Sequence, residues 1–160
     1  MKKLIQLFIP VILLGTLSGC FSNQEKDSLN QLVEKSPLYM DRDGKTDELI
    51  IRSDMTFDYH HITNYYEHLT DVENGTIELI TTGSYGYSGN WGYKGTAKYC
   101  VYQMKELSYQ MLDGDQNYSY HFYFVNHDGL FYSYVRREPP QQEDIKNGLT
   151  GVRWYPQKSN

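Results

Sequence analysis

Cysteine is scarce in this chain: its 160 residues include only Cys20 and Cys100. Small secreted domains without a large core are held together by several disulfides, and two cysteines cannot form such a framework. Cys100 lies in the run Tyr99-Cys100-Val101-Tyr102, whose composition is typical of a strand. We therefore expect Cys100 to be a buried, inert thiol, with a reactive nucleophile as the alternative.

Basic residues are too few to cover a nucleic acid. The formal net charge is -5, and setting aside Lys2 and Lys3 of the leader leaves 13 basic against 20 acidic residues. Neutralising phosphates requires a basic face, so we predict no nucleic-acid partner. The same acidity argues against attachment to an anionic membrane by charge alone.

Long apolar runs are also missing. The longest, residues 4–14, is shorter than the roughly 20 residues that a transmembrane helix requires. It follows Lys2 and Lys3 and leads through small residues to Cys20, which is the three-part pattern of an export signal. We therefore assign residues 1–19 to a signal peptide.

Residues Leu17-Ser18-Gly19-Cys20 resemble the lipobox of bacterial lipoproteins, which has Leu three places before a Cys and small residues between. The resemblance covers residues 1–20 and implies cleavage before Cys20 and a diacylglycerol, with fatty chains such as palmitate, on its sulfur. It also implies a location outside the cytoplasm on the cell membrane. The Lys, Asn and Tyr bias favours a Gram-positive cell surface. An ordinary secretory peptide is the alternative interpretation.

The remaining chain divides into two parts. Residues 20–37 are predicted to be the lipidated N-terminus and a polar tether. A short helix is expected over 28–35, with Ser28 and Gln31 as a possible capping box and Pro37 as a stop. Residues 38–160 are predicted to form a single β-rich domain.

Short aromatic-rich segments separated by turn residues predict the fold class of that domain. We expect a mainly β fold, an antiparallel small barrel or sandwich with one or two short helices. The meander order resembles calycins in outline, without their Gly-x-Trp start. Strands are predicted at 49–52, 55–60, 76–82, 96–104, 118–125, 130–136 and 152–155, with a helix at 140–147 and an ambiguous segment at 63–72.

Glycine recurs every third residue from Gly83 to Gly95, with aromatic residues between. One interpretation is a flexible loop that offers flat rings to a sugar, peptide or protein. The alternative is a long connection whose rings fold back over an open sheet end. The candidate ligand-binding residues are Tyr85, Tyr87, Trp91 and Tyr93.

Residues 118–125 form a second aromatic group, because aromatics occupy both faces of this predicted strand. One face is expected to meet the core. The other is either covered or a binding face.

Metal-ligand patterns are weak. The acids of residues 41–48 surround a glycine as calcium loops do, but a solvated turn explains them better. Adjacent His60 and His61 would point to opposite faces of a strand, so they cannot easily share one ion. We assign no metal site, cofactor or catalytic residue, because no nucleophile elbow or phosphate loop is present either.

These observations favour a membrane-anchored extracytoplasmic lipoprotein that acts as a non-catalytic binding module for an envelope ligand or protein. One alternative is an immunity or exclusion lipoprotein against a toxin or phage factor. Another is a metal-assisted envelope hydrolase using His60, His121 or the acids of residues 41–48. A structural role in an envelope assembly is the fourth possibility.

Overall fold

The computed structural model describes residues 22–42, 45–60, 74–113, 115–147 and 151–156. The leader, Cys20 and the ambiguous segment 63–72 lie outside this part of the chain. The elements, in order, are α1 Asn23–Lys35, β1 Leu38–Arg42, β2 Lys45–Ile51, β3 Thr56–His60, β4 Asn74–Ser88, β5 Lys94–Asp113, β6 Gln116–His127, β7 Leu130–Arg136, α2 Gln142–Asn147 and β8 Val152–Trp154.

The eight strands form one antiparallel sheet in chain order, each paired with the next. The sheet curls until its two edges meet: the backbone groups of Tyr39 and Tyr155 exchange hydrogen bonds of 2.7 and 2.8 Å. The mainly β antiparallel meander is thus confirmed, and of the two predicted architectures it is a nearly closed barrel.

Turn chemistry explains the clearest hairpin. Asp128 and Gly129 have φ values of 48° and 78°, the positive values that a two-residue turn between twisted strands requires. The predicted hairpin of β6 and β7 is therefore confirmed. The predicted helix before β8 is also present, as α2.

The barrel interior is filled by alternate side chains of every strand. Leu32 of α1 is fully buried in this core, so the helix packs against the side chains that fill the barrel interior. The largest fully buried side chains of the interior include Trp154, Tyr59, Tyr102, Phe57, Phe122, Phe124 and Phe131.

The outer face of β5, β6 and β7 is buried as well. Ile145 of α2 packs there in a second cluster that includes Tyr123, Val125 and Tyr134. Both faces of β6 are thus covered at these positions, which favours the covered face over an exposed binding face.

Helix α1 begins five residues before the predicted helix of residues 28–35. Its capping box is formed by Ser22 and Glu25, and the prediction of Ser28 and Gln31 as the box is wrong. The Ser28 hydroxyl instead accepts from the Tyr102 hydroxyl at 2.9 Å inside the barrel. The buried face of α1 carries polar residues that meet polar partners, so apolar periodicity alone underestimates the helix. That residues 20–37 tether the domain to a membrane stays a prediction.

Two ribbons extend beyond the barrel because β5 is 20 residues long. Above the pair Tyr99↔His127, β4 and β5 continue together through five pairs from Ser84↔Lys98 to Ser88↔Lys94. At the other end of β5, it continues with β6 from Tyr109↔Tyr120 to Asp113↔Gln116. We name residues 84–98 the aromatic arm and residues 109–120 the acidic arm.

Candidate functional site

The aromatic arm contains most of the glycine-rich run, and its structure is a β-ribbon rather than a flexible loop. Only residues 89–93 form the connection between the two strands, closed by a 2.7 Å hydrogen bond from the Gly89 amide to the Tyr93 carbonyl. The prediction of a flexible loop over residues 83–95 is therefore wrong. Glycines at every third position concealed a strand pattern that depends on residues across the ribbon.

Two of these glycines make room for aromatic rings. A Cβ atom on Gly95 would lie 2.7 Å from the Tyr87 ring, and one on Gly83 would lie 2.3 Å from the Tyr99 hydroxyl oxygen. Each ring covers the backbone of a glycine on the neighbouring strand, an arrangement that compensates for the missing side chain. A two-stranded ribbon is only marginally stable alone, so these contacts help to hold the arm in shape.

The connection between the strands presents Trp91 to solvent in an energetically unfavourable backbone conformation. Trp91 has φ 67°, a left-handed conformation that a bulky residue rarely adopts and that costs about 1–2 kcal/mol. Its side chain is fully exposed. Local packing therefore offers no compensation for this conformation.

Tyr87 and Tyr93 lie beside each other below Trp91. Their ring centroids are 6.0 Å apart, and the two side chains are 41% and 63% exposed. The Tyr87 hydroxyl donates a hydrogen bond to the Tyr93 side chain, which raises the pKa of Tyr87 above its ordinary value. We name Tyr87, Trp91 and Tyr93 the aromatic tip.

Tyr85, the fourth candidate residue, has a different environment. Its hydroxyl lies 2.8 Å from Nε2 of His127, and the two rings are 5.6 Å apart. Desolvation lowers the pKa of His127 below its ordinary value, against the opposing charge of Asp128, which favours the neutral imidazole in this hydrogen bond. Tyr85 thus fixes the base of the arm, and the structure brings together three of the four predicted residues.

The N-terminus of α1 lies against the same base. The Gln24 side-chain amide donates to the carbonyl oxygens of Gly83 and Tyr99, at 3.0 and 3.1 Å. One amide group therefore connects the helix to both strands of the arm. Sequence reasoning missed Gln24, because a single Gln in a polar segment carries no signal of its own.

A partly open cavity of about 270 Å³ lies between α1, β5 and the turn after β6. Its lining is mainly polar and includes Gln24, Asp27, Gln31, Lys98, Asn126 and Asp128. Cys100 also borders it, but this side chain is only 1% exposed, and burial raises the pKa of its thiol. A protonated, buried thiol agrees with the inert role expected for Cys100.

The acids and histidines considered for a metal site are not brought together as one group. Asp47 is buried inside the barrel, whereas Asp41 and Glu48 lie on the outer face. His60 on β3 pairs with Glu48 on β2, and His121 lies on β6. Among the residues that the structure describes, no group of three or more His, Cys, Asp or Glu side chains could hold a metal ion.

Charge is unevenly distributed over the arms. Residues 84–98 contain Lys94 and Lys98 and no acid, so the aromatic arm carries +2. Residues 109–120 contain Asp113 and Asp115 and no base, so the acidic arm carries -2. The basic arm is an exception in a chain with a net charge of -5.

Together the fold and the site define a small meander barrel that is closed by a helix and extended by an exposed aromatic ribbon. Comparison with family models, curated proteins and solved structures finds no match for this chain. Neither helix in the described ranges combines the length and the apolar composition needed to cross a membrane.

Proposed function

We propose that this protein is a non-catalytic binding module, anchored outside the cytoplasm by lipid on Cys20, that engages a component of the cell envelope through its aromatic tip. One observation carries the proposal. Three large aromatic side chains are exposed at the end of a ribbon that projects from the barrel.

The tip has the properties of a binding surface. Trp and Tyr combine a large apolar area with a polar group, and they dominate the binding energy of many interfaces. Their side chains have few rotatable bonds, and the paired strands already fix the backbone, so little entropy is lost on binding. The left-handed Trp91 supports the same interpretation, because costly backbone conformations are concentrated at functional sites.

Two alternatives can be ranked against this proposal. A metal-assisted hydrolase is less favoured, because Asp47 faces the barrel interior while Asp41 and Glu48 face outward. An immunity or exclusion role is a version of the same proposal in which the partner is a toxin or phage factor.

The proposal has two parts, and each has its own test. Mass spectrometry of the mature protein should find an N-terminal Cys20 that carries fatty acid, and Cys20→Ala should release the protein from membranes. An unmodified mature N-terminus at another residue would contradict the anchor.

For binding, the lipidated protein is cross-linked in native envelopes and its cross-linked envelope components, lipid and protein, are compared with those of a triple variant, Tyr87→Ser, Trp91→Ser and Tyr93→Ser. Met111→Ser with Tyr118→Ser in the acidic arm is the matched control. We expect the triple variant alone to lose its cross-links. Equal cross-linking by all three proteins would refute a role of the tip.

A further inference from the structure

We infer that the component engaged by the aromatic tip is the surface of the lipid bilayer itself, so that the arm is a second membrane contact beside the lipid anchor. This inference rests on the proposed function, since it assigns a partner to the same three residues. The argument uses the position of α1, the reach of the arm, and the chemistry of the tip.

The lipid anchor and the aromatic arm lie at the same end of the barrel. Gln24 contacts Tyr99, and Ser28, one helical turn later, contacts Tyr102, so α1 follows β5 in the same direction. The N-terminus of α1 therefore points toward the arm. Cys20 precedes Ser22 by two residues, which span at most about 7 Å.

The arm is longer than this link. From Tyr99 to Lys94 the strand advances five residues, or about 17 Å at the usual rise, and the connection with Trp91 extends further. If acyl chains hold Cys20 at the membrane surface, the tip reaches that surface before the link is fully extended. The tip is then placed at the depth of the lipid headgroups.

The residue types suit that depth. Trp and Tyr are enriched where membranes meet water, because their rings are apolar and their N–H and O–H groups remain hydrated. Lys94 adds positive charge beside the tip, whereas Lys98 lines the cavity with Asp27 and Asp128. Basic residues are attracted to anionic lipids. The acidic arm lies at the opposite end of β5, away from such a surface.

The shape of the tip also favours a lipid surface over a protein. A stable protein interface buries about 800 Å² on each partner. The tip is a ribbon two strands wide with three exposed rings, which offer a smaller area than such an interface buries. A fluid bilayer can close around a convex group, whereas a folded protein would need a matching cavity.

Trp91 provides an intrinsic probe for this inference, because Trp154, the other tryptophan, is only 1% exposed. The native lipidated protein is inserted into vesicles of phosphatidylcholine and phosphatidylglycerol. Some of these vesicles contain lipids brominated on the acyl chains near the headgroup. Trp91→Phe, which retains Trp154, supplies the background emission.

We expect brominated lipids to reduce the Trp91 emission, and the vesicles to protect Trp91 from acrylamide in the aqueous phase. Emission that is insensitive to brominated lipid and fully quenched by acrylamide would overturn the inference. Protection that appears only after an envelope protein or glycan is added would also overturn it, while leaving the proposed binding function in place. Failure of the anchor is detected separately, as mature protein without fatty acid.

Discussion

The two arms are built from the same strand, yet they differ in charge and in the aromatic rings that they expose. Both are two-stranded ribbons that continue β5 beyond the barrel, one with β4 and the other with β6. The aromatic arm is stabilised by rings over glycines and carries exposed Trp and Tyr side chains. The acidic arm is stabilised by polar contacts, such as the 2.7 Å hydrogen bond from Gln110 to Ser119.

The length of the strands determines how far each ribbon projects from the barrel. The residue composition of the ribbon determines which kind of partner its surface suits. Either ribbon could present side chains to a partner, but exposed polar residues gain little by leaving water. The aromatic arm gains from desolvation, because its rings are apolar and already ordered. The proposed function therefore assigns binding to the aromatic arm and not to the acidic arm.

The strongest test of this comparison removes the aromatic tip. The triple variant Tyr87→Ser, Trp91→Ser and Tyr93→Ser should weaken binding by roughly thirtyfold or more, since one dominant interface aromatic contributes about 2 kcal/mol. Vesicle-binding affinity and cross-linking both measure the effect. The same substitutions at Met111 and Tyr118 of the acidic arm should leave affinity unchanged, and an equal loss there would contradict the distinction between the arms.

A second prediction tests the rings over glycines. Gly95→Val should destabilise the aromatic arm by about 1 kcal/mol, because its Cβ would displace the partly exposed Tyr87 ring. Gly86→Val is the matched control in the same ribbon, since the nearest atom to its Cβ is 3.9 Å away. Amide hydrogen exchange of residues 84–98 measures both variants, and similar exchange rates would show that ring contacts do not stabilise the arm.

The third prediction is a gain in stability. Trp91→Asn should stabilise the protein by about 1 kcal/mol, because Asn tolerates the left-handed conformation that strains Trp. Thermal unfolding measures the gain, while vesicle binding of the same variant should fall. A loss of stability would show that Trp91 makes favourable contacts within the folded chain.

The smallest effect expected is a pH dependence confined to the aromatic arm. His127 has a lowered pKa when folded, so its contribution to stability is present above pH 6.5 and is lost as the pH falls through the folded value. The protection factors of the Tyr85 and Tyr87 amides, which correct for the intrinsic pH dependence of exchange, should fall between pH 7 and pH 5, and those of the acidic arm should not show this change. His127→Gln should reduce the difference, and an unchanged pH response in this variant would exclude His127 as its cause.

Much of the barrel could be predicted from local chemistry. Asp128-Gly129 specifies its hairpin through backbone conformation, and the strand that ends at Trp154 was recognisable from composition. The aromatic arm could not be predicted, because glycine disfavours strands. Gly83 and Gly95 are accommodated in strands by rings on the facing strand, which the local sequence does not reveal. Cross-strand partners of this kind are not visible in a local pattern.

Only part of the candidate site could be predicted, because its other contacts also join residues that are distant in sequence. The aromatic residues of the glycine-rich run were candidates by sequence, and three of them, Tyr87, Trp91 and Tyr93, are exposed in the structure. Their role in binding stays a prediction. Tyr85 is distinguished from them only by His127, 42 residues later in the chain. Gln24 was hidden because its partners are backbone carbonyls, which every residue type has.

The Gln24 amide has a consequence for how the molecule would stand on a membrane. Because it donates hydrogen bonds to both strands of the ribbon, α1 and the base of the arm are held in a fixed relative position. A body held at the membrane by its lipid and by its tip has two points of support, which restrict tumbling and spinning. A molecule diffusing in from the medium would then approach the same end of the barrel, the one from which the acidic arm extends.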